Sequence, residues 1–137
     1  MKFRNSERGA VAVELALVLP VLLLLVLGIM EFGRAYNVQI SASQAAREGA
    51  RYVAVNYSTA GFSAATARTT ALSSAPGLPA GSTVTITYTS ASGATVPVCT
   101  SGSRVKVTVA DQLVWLTGYL PIAAPRVTGI GVMQCGG

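Results

Sequence analysis

The sequence predicts an α+β protein in which a long N-terminal helix carries a small head built on an antiparallel β-sheet. Three observations support this fold class. A charge-free apolar run covers residues 15–30, and an alanine-rich segment with helical periodicity follows over residues 31–55. Segments in which β-branched residues alternate with polar ones then appear in the second half of the chain.

The apolar run predicts a membrane-spanning helix over residues 10–30. These 21 residues would form a helix of about 31 Å, which matches the thickness of a bilayer's hydrocarbon core. Glu14 is the one charged residue in the span. Three cations precede the span: Lys2, Arg4 and Arg8. The positive-inside rule therefore places the N-terminus in the cytoplasm and the chain beyond Met30 outside.

Other interpretations of the apolar run fit less well. A secretory signal would end in a small-x-small cleavage site, whereas this run ends in Gly-Ile-Met-Glu-Phe-Gly. A lipoprotein anchor would need a cysteine directly after the run, and none is present there. A plain membrane anchor leaves Glu14 unexplained unless its carboxylate snorkels to the interface, because a carboxylate in hydrocarbon costs about 2.5–3.5 kcal/mol at the helix centre.

The helix is predicted to continue to Val55, with its extracytoplasmic half over residues 31–55. One face of that half is mostly small, which would let another helix backbone approach closely. Its members are Ala35, Val38, Ala42, Ala45, Gly49 and Tyr52. Glu48 and Arg51 have the i,i+3 spacing of an ion pair. Pro20 removes one backbone hydrogen bond, to the carbonyl of Ala16, and is expected to kink the helix.

Residues 56–137 are predicted to form the head, with three or four antiparallel strands packed on the outer half of the long helix. Strands are expected over residues 83–89, 103–109 and, more weakly, 126–134, with a hairpin loop over residues 90–97. A short helix is expected over residues 62–72, with Ala65, Thr69 and Leu72 on one side. Asp111 is expected to cap a second short helix. Leu113, Leu116 and Leu120 would share a face of this helix before Pro121.

The two cysteines suggest a disulfide that would stabilise the head. Cys99 precedes one predicted strand and Cys135 ends the last, and both lie on the oxidising side of the membrane in the predicted topology. The bridge would close a loop of thirty-odd residues, worth about 3–4 kcal/mol in the chain-entropy description. Two free thiols or a link between chains are the alternatives.

The composition argues against an enzyme. The 137 residues include ten Lys and Arg, five Asp and Glu, and no histidine, so histidine-dependent nucleophilic catalysis is excluded. Five acids and two distant cysteines leave little material for a metal site. No catalytic residue, metal or cofactor is therefore expected, and the modest positive charge gives no argument for nucleic-acid binding.

The stretch from Arg8 to Glu14, Arg-Gly-Ala-Val-Ala-Val-Glu, resembles the cleavage motif of type IV prepilins. In that family a membrane peptidase cuts after a glycine, and the fifth residue of the mature chain is glutamate. Residues 7–55, with their further run GAVAVELALVLPVLLLLVLGIMEFGRA and the downstream QAAREGAR, resemble TadE-like (TadE/TadG-like) minor pilins or pseudopilins of the tight adherence (Flp) type IV pilus system.

The resemblance implies a type IV pilin-like architecture in which residues 1–9 are a leader. Cleavage between Gly9 and Ala10 would free the Ala10 amine. Ala10, Glu14 and Pro20 would then serve assembly, with the Glu14 carboxylate meeting the N-terminal amine of a neighbouring subunit. The implied partners are a prepilin peptidase, other pilin or pseudopilin subunits and a pilus membrane platform. The expected location is the cytoplasmic membrane or the pilus, with surface adhesion as the outcome.

A non-pilin alternative stays open at this point. The chain would then be a single-span surface protein, unprocessed at Gly9, whose head binds a partner outside the cell. The two alternatives share the membrane helix and the head, and they differ in the fate of the bond between Gly9 and Ala10.

Overall fold

The computed structural model describes residues 6–116, 118 and 123–136. The chain divides into two compact units, one ending at Arg34 and one beginning at Ala35. The element order is α1 (Ser6–Asn56), α2 (Ala64–Ser73), β1 (Thr83–Thr89), β2 (Thr95–Val96), β3 (Arg104–Gln112) and β4 (Arg126–Gln134). The predicted α+β class, a long apolar N-terminal helix with a small antiparallel sheet, is confirmed.

Helix α1 is continuous over 51 residues and contains Pro20. Proline is tolerated here although it cannot donate the hydrogen bond of an interior residue, and the helix does not end at it. The kink expected at Pro20 stays a prediction. The apolar half of α1 precedes the second compact unit, whereas residues 35–56 belong to that unit and supply one side of its core.

The second unit contains a four-stranded antiparallel sheet in the order β2-β1-β3-β4. The alternating segments predicted as strands are all strands. Strand β2 lies inside the predicted hairpin loop, where Thr95 and Val96 pair with Thr89 and Tyr88. Only two residues take part, which is too short for an alternation pattern to show.

The helix predicted after Asp111 is wrong for the described residues. Strand β3 runs on through Asp111 and Gln112, which pair with Val127 and Arg126 of β4. This pairing gives the backbone its hydrogen bonds in the sheet, so Asp111 does not act as a helix cap. Leu113 and Leu116 lie in non-helical chain. Leu120 and Pro121 are outside the described residues.

Helix α2 begins close to the predicted position. The Ser63 hydroxyl caps it by accepting a hydrogen bond from the Thr66 backbone N–H at 3.1 Å. The side with Ala65, Thr69 and Leu72 is exposed, and the buried side consists of Ala67 and Ala71 instead. Small buried residues let α2 pack closely against its neighbours.

The core lies between the inner face of the sheet and residues 38–54 of α1. The centre of β3 supplies Val105, Val107 and Val109, all of which are fully buried. The helix supplies mainly alanines, so the space between helix and sheet is filled from the sheet side. The buried helix residues are Val38, Ala42, Ala45, Ala46, Ala50, Val53 and Ala54.

Candidate functional site

The apolar half of α1 has every side chain exposed over residues 9–26. The large apolar side chains of this segment range from 44% exposed at Val26 to 71% exposed at Leu17. Among the described residues this is the one helix long and apolar enough to cross a membrane. Apolar surface of this extent is unfavourable in water. The helix therefore requires lipid or other apolar helices around it.

Gly9 and Ala10 lie in this exposed segment, in the first turns of α1. Both residues are exposed, and a Cβ added to Gly9 would meet no atom within 4 Å. Glycine in a helix interior is less favourable than alanine by about 1 kcal/mol. Glycine therefore lowers the stability of the first turns of the helix.

Glu14 is also exposed, four residues after Ala10. Residues i and i+4 share a helix face and differ in height by about 6 Å. An amine created at Ala10 would therefore lie one turn below the Glu14 carboxylate on the same face. A positive and a negative group would then lie together at the start of an otherwise uncharged apolar segment, which runs to Met30.

The predicted small face of α1 is largely buried in the second unit. Val38 is 4% exposed, Ala42 and Ala45 are fully buried, Gly49 is buried and Ala35 is half-buried. The small residues of this face predict the close approach of another helix backbone. The structure places part of α2 there, since a Cβ on Gly49 would lie 2.9 Å from that of Ala71.

The closest approach to α1 comes from strand β4. A Cβ on Gly129 would overlap the carbonyl of Ala42, and one on Gly131 would overlap the carbonyl of Ala46. Strand and helix backbones therefore touch directly, which only glycine permits. Gly129, Gly131 and Ala46 were missed in the sequence analysis. The signal for them was the alternation of glycine in Val-Thr-Gly-Ile-Gly-Val.

Three further links hold β4 and the residues after it in place. The Gln39 side-chain amide donates a 3.0 Å hydrogen bond to the carbonyl of Thr128, and the Gly136 N–H donates one of 3.2 Å to the carbonyl of Ala54. The predicted disulfide is present between Cys99 and Cys135, with Cα atoms 6.0 Å apart. The bridge is buried and joins the end of β4 to the segment before β3.

The predicted ion pair on α1 is also present. The Arg51 guanidinium donates to both carboxylate oxygens of Glu48, at 2.6 and 2.9 Å. These hydrogen bonds hold the pKa of Glu48 below its usual value and raise that of Arg51. The pair lines a shallow surface depression together with Gln44, Arg47, Ser74 and Met133. Because the pair is solvent-exposed, it adds little stability.

The fold and the exposed segment define a class: proteins in which an apolar N-terminal helix, able to span a membrane, continues into a small α+β head. Comparison with protein families identifies the helix more closely. Residues 9–51 match the family described as TadE-like protein. This segment, which begins at Gly9 and lies within α1, is TadE-like, and the resemblance predicted from the sequence is confirmed. No curated protein and no solved structure matches the chain.

Proposed function

We propose that this protein is a minor pilin or pseudopilin of a tight adherence (Flp) type IV pilus. The observation that carries the proposal is the TadE-like match, because it falls on the helix whose apolar half is exposed on every side. Subunits that assemble through such helices need an apolar surface that their own heads leave open. The role is structural rather than enzymatic.

In this proposal a prepilin peptidase cuts between Gly9 and Ala10 on the cytoplasmic side of the membrane. The helix remains in the cytoplasmic membrane as a single span, with the head outside the cytoplasm. The other partners are further pilin or pseudopilin subunits and the pilus membrane platform. The head then contributes to surface adhesion.

Glu14 gives the assembly step its selectivity. A carboxylate surrounded by hydrocarbon is costly, whereas one paired with a cation is tolerated. The new amine at Ala10 of one subunit supplies that cation to Glu14 of its neighbour. A misplaced subunit loses this pairing between chains, so the pairing fixes the axial position of the incoming helix.

The alternative is an unprocessed, single-span surface protein whose head binds a partner. It uses the same membrane helix and head but requires the Gly9–Ala10 bond to stay intact. The two proposals therefore differ in whether the Gly9–Ala10 bond is cut.

Intact-mass measurement on membrane and pilus fractions tests the proposal. A chain that begins at Ala10 supports it, and one that retains Met1 or begins beyond Met30 contradicts it. A Gly9→Val variant is expected to stay full length and remain in the membrane. The matched control is Gly28→Val, which makes the same change in the same helix. A Cβ at Gly28 would also meet no atom within 4 Å, so this variant is expected to be cut normally.

A further inference from the structure

The sheet has one face turned away from α1, here named the outer face. The side chains at even-numbered positions of β3 and β4 lie on it, because odd-numbered ones such as Val107 and Val109 are buried against the helix. On β1 the odd-numbered positions lie on it, because the register pairs them with the even-numbered positions of β3. The strand register places three rows across this face. They are Thr89–Arg104–Gln134, Thr87–Lys106–Val132 and Thr85–Thr108–Ile130.

The charges on the outer face are all positive. Arg104 and Lys106 are exposed and lie two residues apart on β3, about 7 Å along the strand. Arg126 is exposed on β4, opposite Gln112 at the far end of the sheet. The one acidic residue after Glu48 is Asp111, whose odd position places it on the other side of the strand. No acid therefore neutralises these three cations on their own face.

A row of threonines lies beside the cations. It consists of four residues of β1 on the outer face, at positions 83, 85, 87 and 89. A threonine hydroxyl can donate one hydrogen bond and accept others; that of Thr87 donates to the carbonyl of Lys106 at 3.3 Å and keeps its acceptor capacity. The register sets Thr89 beside Arg104 and Thr87 beside Lys106, so in each of these two rows a threonine and a cation lie side by side on strands about 5 Å apart. Such a surface is suited to a ligand with both hydroxyl and anionic groups.

The side chains on the outer face also distinguish among classes of polyanion. None of those at the odd positions of β1 or the even positions of β3 and β4 is aromatic. Proteins that bind single-stranded nucleic acid stack its bases on aromatic side chains. Helices that bind lipid surfaces combine cations with Trp, Phe or Leu. Neither pattern occurs on this face, whereas hydroxyl groups are abundant on it.

We propose that the outer face binds a linear polysaccharide bearing carboxylate, sulfate or phosphate groups. Arg104 and Lys106 contact neighbouring anionic groups, the β1 threonines hydrogen-bond the sugar hydroxyls, and Arg126 contacts the same polymer farther along. The partner is defined by charge complementarity to these three cations. This inference rests on the head and stands whether or not the chain enters a pilus.

The test is binding of a fluorescent polyuronate fragment to the full-length chain in neutral detergent, followed by fluorescence anisotropy. The double variant R104Q/K106Q is expected to bind about 25-fold more weakly, from about five-fold for each cation near an anionic surface. The matched control is R47Q/R51Q, which removes the same charge from α1 and is expected to bind as the unmodified chain does. Raising the salt should weaken binding by the unmodified chain, because exposed charges are screened.

Four results would overturn the proposal. Equal losses in the two double variants would mean that net charge, rather than the outer face, attracts the polymer. Binding of neutral dextran as tightly as the polyuronate fragment would show that the cations do not contribute to binding. Tighter binding of single-stranded DNA, or a preference for phosphatidylglycerol over phosphatidylcholine vesicles that R104Q/K106Q abolishes, would assign the face to a different class of partner. Circular dichroism of each variant shows whether a loss of binding reflects a loss of fold.

Discussion

Glu14 is the single carboxylate in the exposed apolar half of α1, and its two possible roles predict opposite effects of substitution. If it only snorkels to the membrane interface, its removal relieves a cost and leaves assembly unchanged or improved. If it pairs with the Ala10 amine of a neighbouring subunit, its removal leaves that amine without a counter-charge in an apolar environment. Substitutions of Glu14 therefore distinguish a helix that only anchors the protein from one that directs assembly.

Glu14→Ala and Glu14→Gln are both expected to be cleaved and inserted, and both should enter pili about ten-fold less well. That factor corresponds to about 1.4 kcal/mol of lost pairing. Gln should resemble Ala, because it keeps the shape of the side chain but not its charge. The measurement is the amount of protein in sheared pili relative to the membrane pool. Leu15→Ala is the uncharged control, and unchanged ratios for both Glu14 variants would reject the pairing mechanism.

Gly131 is a residue at which a single added methyl group should destabilise the head. Gly131→Ala would place its Cβ against the carbonyl of Ala46. A backbone atom cannot rotate away, so strand and helix must separate at a cost of about 1–3 kcal/mol. Thermal unfolding should show a lowered Tm. Gly33→Ala is the control, because a Cβ there would meet nothing within 4 Å and alanine favours the helix. A Tm for Gly131→Ala equal to that of the unmodified chain would contradict this packing.

Among the elements, β3 shows how far local pattern predicts this fold. Alternation in Val105, Val107 and Val109 predicted the strand correctly, since that pattern reflects a half-buried sheet. The continuation through Asp111 depends on pairing with Val127, a contact between residues far apart in the sequence. Asp111 has a helix-capping side chain, and local propensity gave the wrong prediction because distant pairing decided the conformation.

In the candidate site, too, features set by local sequence were predicted, whereas contacts between distant residues were not. The positions of Gly9, Ala10 and Glu14 followed from the sequence, because a helix places residues by spacing alone. The small face of α1 was also readable from its period. The contact of α1 with β4 could not be predicted, because the local sequence does not indicate which strand packs against Ala42 or Ala46.

The disulfide joins the segment before β3 to the end of β4, so its reduction tests how these strands are held. Cys99 and Cys135 are 36 residues apart, and opening a loop of that size is expected to cost about 3–4 kcal/mol. Reductant should lower the Tm of the head and leave the helical signal of the membrane span unchanged. The C99S/C135S variant should show the lower Tm without reductant and no further change with it. A reductant-insensitive Tm for the unmodified chain would show that the bridge is not stabilising.

At the scale of the whole molecule, the second compact unit includes the last 22 residues of α1. A fragment over residues 35–137 is therefore expected to fold cooperatively and to form the disulfide. A fragment over residues 57–137 lacks the helix that covers Val105, Val107 and Val109, and it should be unfolded or aggregated. Circular dichroism and amide hydrogen exchange on both fragments provide the measurement. Cooperative folding of the shorter fragment would contradict the assignment of α1 to the core.

The direct contact between β4 and α1 also has a consequence for how this interface can evolve. Neighbouring positions in a core usually covary, because one side chain can grow as the other shrinks. Gly129 and Gly131 have no side chain to lose, and they face carbonyl groups of Ala42 and Ala46 that every amino acid carries. Neither partner can compensate for a change in the other. Across related heads these two glycines should therefore stay invariant without correlated substitutions, leaving an interface that alignment-based contact prediction would fail to detect.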